Sequence, residues 1–300
     1  MIFLIIPLTL LILLLLISYY FSNKVAFPKT FPYEETYKLD FDRGKINEKI
    51  LNSPEKEEVY IDSPYGYRLH GLYFPKSNSK KAIILVHGIT WSLFGSVKYM
   101  DMFIEQGFNI LIYDHRNHGL SGGKNSTFGY YEKYDLKACT DWLYKKLGDD
   151  AIIGLHGESM GAGTALQNIA IDPRIKFCIA DCGYSDVPEL LKLRLKLDFK
   201  VNTPFLLYTS SALTKLRTGW CFKDSSPIKD LPKVDVPVLF VHGEDDVYVP
   251  TYMSKQMYEV KRGMKDIYIA PNAGHAEAYL NNKEEYKNKV HDFLNDLNLL

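Results

Sequence analysis

Residues 1–23 carry no charged side chain and are rich in Leu and Ile throughout, a run long enough to cross the ~30 Å hydrocarbon core of a bilayer as one helix. Tyr19, Tyr20 and Phe21 close the run and Lys24 follows it, the order expected where a helix leaves a membrane through its aromatic interface. A cleaved leader would carry a basic start, a shorter apolar core and a small-residue cleavage site. None of these is evident, so residues 1–23 are expected to form an uncleaved transmembrane anchor. Lys24, Lys29 and Lys38 after the span, with no Lys or Arg before it, favour placing the rest of the chain on the cytoplasmic side. Residues 24–57 are polar, aromatic and Pro-bearing, the pattern of a tether or of a segment draped over the domain that follows.

From residue 58 the pattern changes to short apolar runs alternating with helical periodicity. Residues 58–63 and 67–74 read as a hairpin joined by Pro64-Tyr65-Gly66. Strands are predicted at 81–87, 108–114, 151–156, 175–181, 236–242 and 265–270, and helices at 97–107, 130–147, 162–170, 251–261 and 276–297. Continuous apolar strands alternating with helices predict a mostly parallel α/β sheet covered on both faces. One interval breaks the rhythm: the roughly fifty residues before the strand at 236 contain no clear strand, too many for an ordinary connection. Leu-rich and aromatic segments there predict a helical lid at about 187–233, over the carboxyl edge of the sheet where ligands bind.

Composition narrows the function by exclusion. Lys+Arg and Asp+Glu both number 36, and no long basic run occurs, so nothing favours a nucleic-acid partner. The four cysteines form no C-x-x-C pair and no metal-ligand spacing. Cys139 and Cys178 fit small core positions, while Cys182 and Cys221 leave open a pairing across the insertion.

The chemistry concentrates at Gly157-Glu158-Ser159-Met160-Gly161, a G-x-S-x-G pattern between a predicted strand and a predicted helix. A serine presented at such a sharp turn brings neighbouring backbone close together, and glycines two positions to either side remove the Cβ atoms that would collide. A serine nucleophile needs a base, an orienting acid and donors for the developing oxyanion. The acid is expected from the loop after the strand at 236–242, with Asp246 preferred over Asp245, and the base is His275, after the next strand. His70, His156, His242 and His291 lie in strands, at strand ends or on a helix face, where packing is the simpler role. The turn His87-Gly88-Ile89-Thr90 closes the first parallel strand, so the backbone N–H groups of Ile89 and Met160 are assigned to the oxyanion hole.

These motifs together resemble the α/β-hydrolase superfamily, in the group of Bem46-like and serine aminopeptidase-like proteins, and resemble bacterial members with an N-terminal membrane segment. The residues that carry the resemblance are His87-Gly88, Asp114-His-Arg-Asn-His-Gly-Leu-Ser-Gly-Gly123, Gly157-Glu-Ser-Met-Gly161, His242-Gly-Glu-Asp-Asp-Val-Tyr-Val-Pro250 and Gly274-His275, in the family's order across residues 58–300. The resemblance implies an α/β-hydrolase fold, an eight-stranded, mostly parallel sheet with Ser159, Asp246 and His275 as triad. In the family's Asp-x-Arg-Gly-x-Gly-x-Ser turn, Asn117 stands where the first glycine is expected, and Arg116 and Ser121 are read as tying down loops. The expected activity is hydrolysis of hydrophobic or lipid-like esters, without cofactor or metal. Thioesterase and aminopeptidase readings use the same machinery, the latter needing lid carboxylates such as Glu189 or Asp198. A membrane-tethered scaffold on an inactive hydrolase fold is the alternative outside enzymes.

Overall fold

A computed structural model describes residues 2–300, with side-chain surroundings from Ile5 onward. Helix α1, Ile2–Ala26, is followed by α2, Tyr33–Asp42, and α3, Glu48–Leu51. Strands β1, Glu57–Asp62, β2, Arg68–Phe74, and β3, Lys81–Val86, lead to helix α4, Met100–Glu105, and strand β4, Asn109–Tyr113. Then come α5, Glu132–Leu147, β5, Ile152–Glu158, α6, Met160–Asn168, and β6, Phe177–Asp181. The insertion carries α7, Val187–Phe199, α8, Pro204–Thr218, and the short α9, Pro227–Asp230. Strand β7, Val238–Gly243, helix α10, Tyr252–Val260, strand β8, Lys265–Ala270, and helices α11, Ala278–Asn281, and α12, Lys283–Asp296, complete the chain.

The eight strands form one sheet in the order β1-β2-β4-β3-β5-β6-β7-β8. β2 pairs antiparallel with both β1 and β4, and all other pairings are parallel. Alternation along each strand divides the apolar side chains between two cores. Ile83, Leu85, Ile110, Ile112 and Ile179 face a layer that includes α4 and α12, while Ala82, Ile84, Leu111, Cys178 and Ala180 face α5 and α6. Burial on both faces is why these strands read as continuous apolar runs rather than as alternating ones.

Three segments differ from the periodicity. Residues 24–57, read as a tether or a draped segment, carry two helices that the pattern did not predict: α2, α3 and the link between them lie on the first core through Tyr33, Tyr37, Ile46 and Leu51, and the hydroxyls of Thr36 and Ser92 are 2.5 Å apart. The helix expected at 97–107 is a 3-10 segment, Leu93–Tyr99, running into the short α4, and its first N–H, on Leu93, donates to Asp114 Oδ1 at 2.7 Å. The final helix breaks at Asn282, which adopts φ −133° and ψ 44°, and there the side-chain amides of Asn281 and Asn282 donate to the carbonyls of Asn272 and Pro271 in the preceding loop.

Residues Ile5–Ala26 of α1, with mean hydropathy 2.3, are long and apolar enough to cross a membrane, and little of them is buried by the protein. Among the described residues, the carboxyl-terminal turns of α1 dock, chiefly against α8, with Phe21 also packed on Phe199 of α7. Ser18 and Thr209 hydroxyls lie 2.7 Å apart, Thr214 Oγ1 donates to Ser22 Oγ at 2.9 Å, and Arg217 donates to Ser22 and to Asn23 Oδ1. Small hydroxyl residues at such a seam let two helices approach closely while satisfying each other's polar groups.

Candidate active site

Strand β5 ends and α6 begins at Ser159, which has φ 54° and ψ −114°. A side chain rarely adopts this left-handed conformation, and the surroundings hold it there. The Ser159 N–H donates to the Asp181 carbonyl at 2.8 Å, and its carbonyl accepts from Gly163. A Cβ at position 157 would lie 2.3 Å from the Gly161 carbonyl oxygen, and one at 161 would lie 2.0 Å from that of Val86. Both glycines are therefore required by close backbone approach, as the motif predicts.

The structure brings Ser159, Asp246 and His275 into one chain of hydrogen bonds. His275 Nδ1 lies 2.7 Å from Asp246 Oδ2, and a carboxylate oxygen can only accept, so the proton is on Nδ1. Nε2 is then unprotonated and accepts from Ser159 Oγ at 2.9 Å. Asp246 is held from the other side as well: Oδ1 accepts from the N–H groups of Tyr248 and Val249 at 2.8 and 2.9 Å, and Oδ2 lies 3.1 Å from His242 Nε2. Burial raises the Asp246 pKa, but hydrogen bonds from His242 and His275 and their fields outweigh it, leaving the carboxyl well below the usual range. Asp245, the alternative acid, is exposed. His242 is thus more than the packing residue suggested by its strand position. Its Nε2–H is shared between Asp246 and the Val249 carbonyl, and its Nδ1 accepts from Ser254.

Gly88 sits against the elbow, with a Cβ there falling 3.6 Å from Ser159 Cβ. The loop that carries it is fixed by neutral imidazoles. His87 donates from Nδ1 to the Gly88 carbonyl and accepts the His115 N–H on Nε2, and His118 Nε2 accepts the Thr90 N–H at 3.0 Å. Burial, followed by the neighbouring His118, lowers the His87 pKa to about 3, so it remains uncharged. The N–H groups of Ile89 and Met160 donate to no acceptor among the described residues. Met160 follows Ser159 in sequence, and Ile89 lines the same cleft as Ser159.

Beneath the elbow lies a polar cluster that sequence patterning did not reveal. Glu158 forms a 2.5 Å ion pair with the buried Lys98 and accepts from Tyr99 at 2.6 Å. Burial raises the Glu158 pKa, but the Lys98 ammonium prevails and lowers it overall. Asp181 accepts from Tyr99 and Tyr286, and burial, followed by the Glu158 charge, raises its pKa to about 6. Lys98 falls in the 3-10 segment, Glu158 at the end of β5 and Tyr286 in α12, far apart in the chain, so no local pattern announces the cluster.

The variant turn is explained by its conformation. Asn117 adopts φ 61°, which a glycine adopts freely and which Asn tolerates better than most residues. Ser121 Oγ donates to the Asp114 carbonyl and accepts from the His70 N–H, and Arg116 lies over the Tyr131 ring at 4.7 Å. All four cysteine thiols are free and buried, so Cys182 and Cys221 are not paired. The Cys182 sulfur lies within 4.8 Å of the Asp246 and His275 ligand atoms, but those two groups are already bonded to each other. A cleft of about 760 Å³ opens over Ser159 and His275, lined by Ile89, Trp91, Lys98 and Glu158 among others.

The alpha/beta hydrolase fold family matches residues 81–205. The uncharacterized protein YqkD of Bacillus subtilis strain 168 is 38% identical over 280 residues, 93% of this chain and 92% of its own length. The lysophosphatidylserine lipase ABHD12 of Xenopus tropicalis is 24% identical over 73% of this chain and 58% of its own. Among solved structures, the Pyrococcus furiosus esterase Pf2001 superposes with a TM-score of 0.67 and 25% identity, covering 81% of this chain and 91% of its own.

Proposed function

Because this chain belongs to the α/β-hydrolase superfamily, whose esterase and lipase relatives support hydrolase activity, we propose that it is a serine hydrolase of hydrophobic or lipid-like carboxylic esters. In this reading α1 is a membrane anchor, residues 58–300 are the catalytic domain, and the helices at 187–233 cover the site as a lid. The observation that carries it is the continuous Ser159–His275–Asp246 relay, with separations of 2.9 and 2.7 Å.

The mechanism follows from the proton positions. His275 Nε2 takes the Ser159 proton as Oγ attacks the acyl carbonyl, and the free N–H groups of Ile89 and Met160 receive the oxyanion. Asp246 holds the tautomer and stabilises the imidazolium. His275 then gives its proton to the departing alcohol, and the same base activates water to release the acid from Ser159. The name of the ABHD12 relative, a lysophosphatidylserine lipase, and the apolar insertion both favour lipid-like esters.

A thioester would react through the same acyl-enzyme. The aminopeptidase reading would rest on Glu189, whose Oε1 accepts from Tyr252, or on Asp198, which is paired with Arg194, and the ester reading is preferred. The experiment is the Ser159→Ala variant of the full chain assayed on p-nitrophenyl butyrate. Activity is expected to fall by roughly 10⁴–10⁶-fold, and a fluorophosphonate should label only the parent protein. Undiminished hydrolysis by the folded variant sinks the assignment, and failure of the folded parent to label supports the scaffold alternative.

A further inference from the structure

Two cavities meet beside Ser159. The polar cleft of about 760 Å³ shares Ile89, Thr90 and Tyr248 with an apolar cavity of about 280 Å³. The walls of the second cavity come from distant parts of the chain: Phe21 and Val25 at the end of α1, Leu191 and Leu195 on α7, Leu206 on α8, and Phe128. The cavity begins where an acyl carbonyl would sit, because Ile89 supplies a free N–H and the Tyr248 ring lies 5.0 Å from that of His275.

The end of α1 is built into this site rather than resting on it. The Ala26 carbonyl accepts the Ser126 N–H at 2.9 Å, and the Phe31 N–H donates to the Thr90 carbonyl at 2.9 Å. Ala26 also shares one apolar cluster with Met160, which follows the nucleophile, and with Trp220 and Phe222 of the insertion. Beside it, α8 leaves Phe205, Tyr208 and Leu216 exposed, so the surface next to the cavity is suited to lipid contact.

We propose that the apolar cavity holds the acyl chain of an amphiphilic ester, with the end of α1 as one of its walls, so that this helix binds substrate as well as attaching the protein. This inference rests on the ester-hydrolase reading above. The polar cleft takes the alcohol portion; its lining includes Arg43 and the ion pairs Lys45–Asp40 and Lys98–Glu158. A chain leaving the bilayer along α1 then reaches Ser159 without crossing water.

The test uses the full chain in phosphatidylcholine nanodiscs, with p-nitrophenyl butyrate and p-nitrophenyl dodecanoate. Each buried methylene favours the longer ester by roughly fourfold. Filling the cavity from either wall, with Val25→Trp or Leu191→Trp, is expected to lower the dodecanoate-to-butyrate ratio of kcat/KM by about tenfold or more. Partition of each ester into the discs is common to parent and variants and cancels in that comparison. A ratio within about twofold of the parent in both variants, with Ser159 still labelled by a small fluorophosphonate, overturns the inference. A second measurement needs no substitution. A dodecyl fluorophosphonate bearing a terminal diazirine, once attached to Ser159, is expected to crosslink to peptides of α1, α7 or α8. Crosslinks confined to the polar cleft, at Arg43 or Lys45, overturn the inference. Retained esterase activity in Ser159→Ala overturns the parent reading instead, whatever the chain-length profile.

Discussion

Asp246 accepts from two backbone N–H groups and two imidazoles, and that enclosure makes both its charge and its position predictable. Asp246→Asn keeps the shape but loses the acceptor that fixes the His275 tautomer, so kcat is expected to fall by roughly 10⁴-fold with the fold retained. The depressed pKa has a stability consequence of definite sign. A carboxyl held below its unfolded value contributes stability fully above about pH 4 and loses it as pH falls through the lower folded value. The melting-temperature advantage of the parent over Asp246→Asn should therefore shrink as the pH falls from about 4 toward 2, as a thermal scan would show. His242→Phe keeps a ring but removes the donor to Asp246. A hydrogen bond to a charged group contributes roughly 1.5–3 kcal/mol, so kcat/KM should fall by about 10- to 150-fold. The Asp246 pKa should rise at the same time, as its carboxyl resonance followed by NMR through an acid titration would show.

At the scale of elements, the sequence showed the strands and the elbow clearly, because fully buried parallel strands leave long apolar runs and the G-x-S-x-G spacing has a steric cause. Ser159, Asp246 and His275 were legible through their motifs and chain order. The Lys98–Glu158 pair was not, since it forms between a 3-10 segment and a strand end that no periodicity connects. Nor were α2 and α3, whose small apolar faces are hidden among charged residues. The buried pair makes a direct prediction: Lys98→Met strands the Glu158 charge and should cost about 3–5 kcal/mol of stability, whereas Lys98→Met with Glu158→Gln should recover much of it. Denaturant titration of the single and double variants measures both. At the altered turn, Asn117→Gly is expected to leave the melting temperature nearly unchanged. Asn117→Val, with a branched side chain at φ 61°, should lower stability by about 1–2 kcal/mol.

Across the whole molecule, α1 and the insertion stabilise one another through the Ser18–Thr209 and Ser22–Thr214 contacts and through Arg217. Removing residues 1–23 takes away these partners while leaving the sheet untouched. Hydrogen exchange of α8 amides should then accelerate by more than about tenfold, at about 1 kcal/mol per lost hydrogen bond. The amides of β3, β5 and β6 should exchange as before. The same seam has a kinetic consequence on the proposed anchor reading. If α1 is the membrane anchor proposed above, a domain clamped to it cannot swivel freely, so its mouth would stay at one height and tilt above the lipid and meet substrate by lateral diffusion in two dimensions. Its rate then follows the mole fraction of ester in the membrane rather than the bulk concentration. Diluting the ester with inert phospholipid, at constant total ester, should slow the anchored enzyme in proportion.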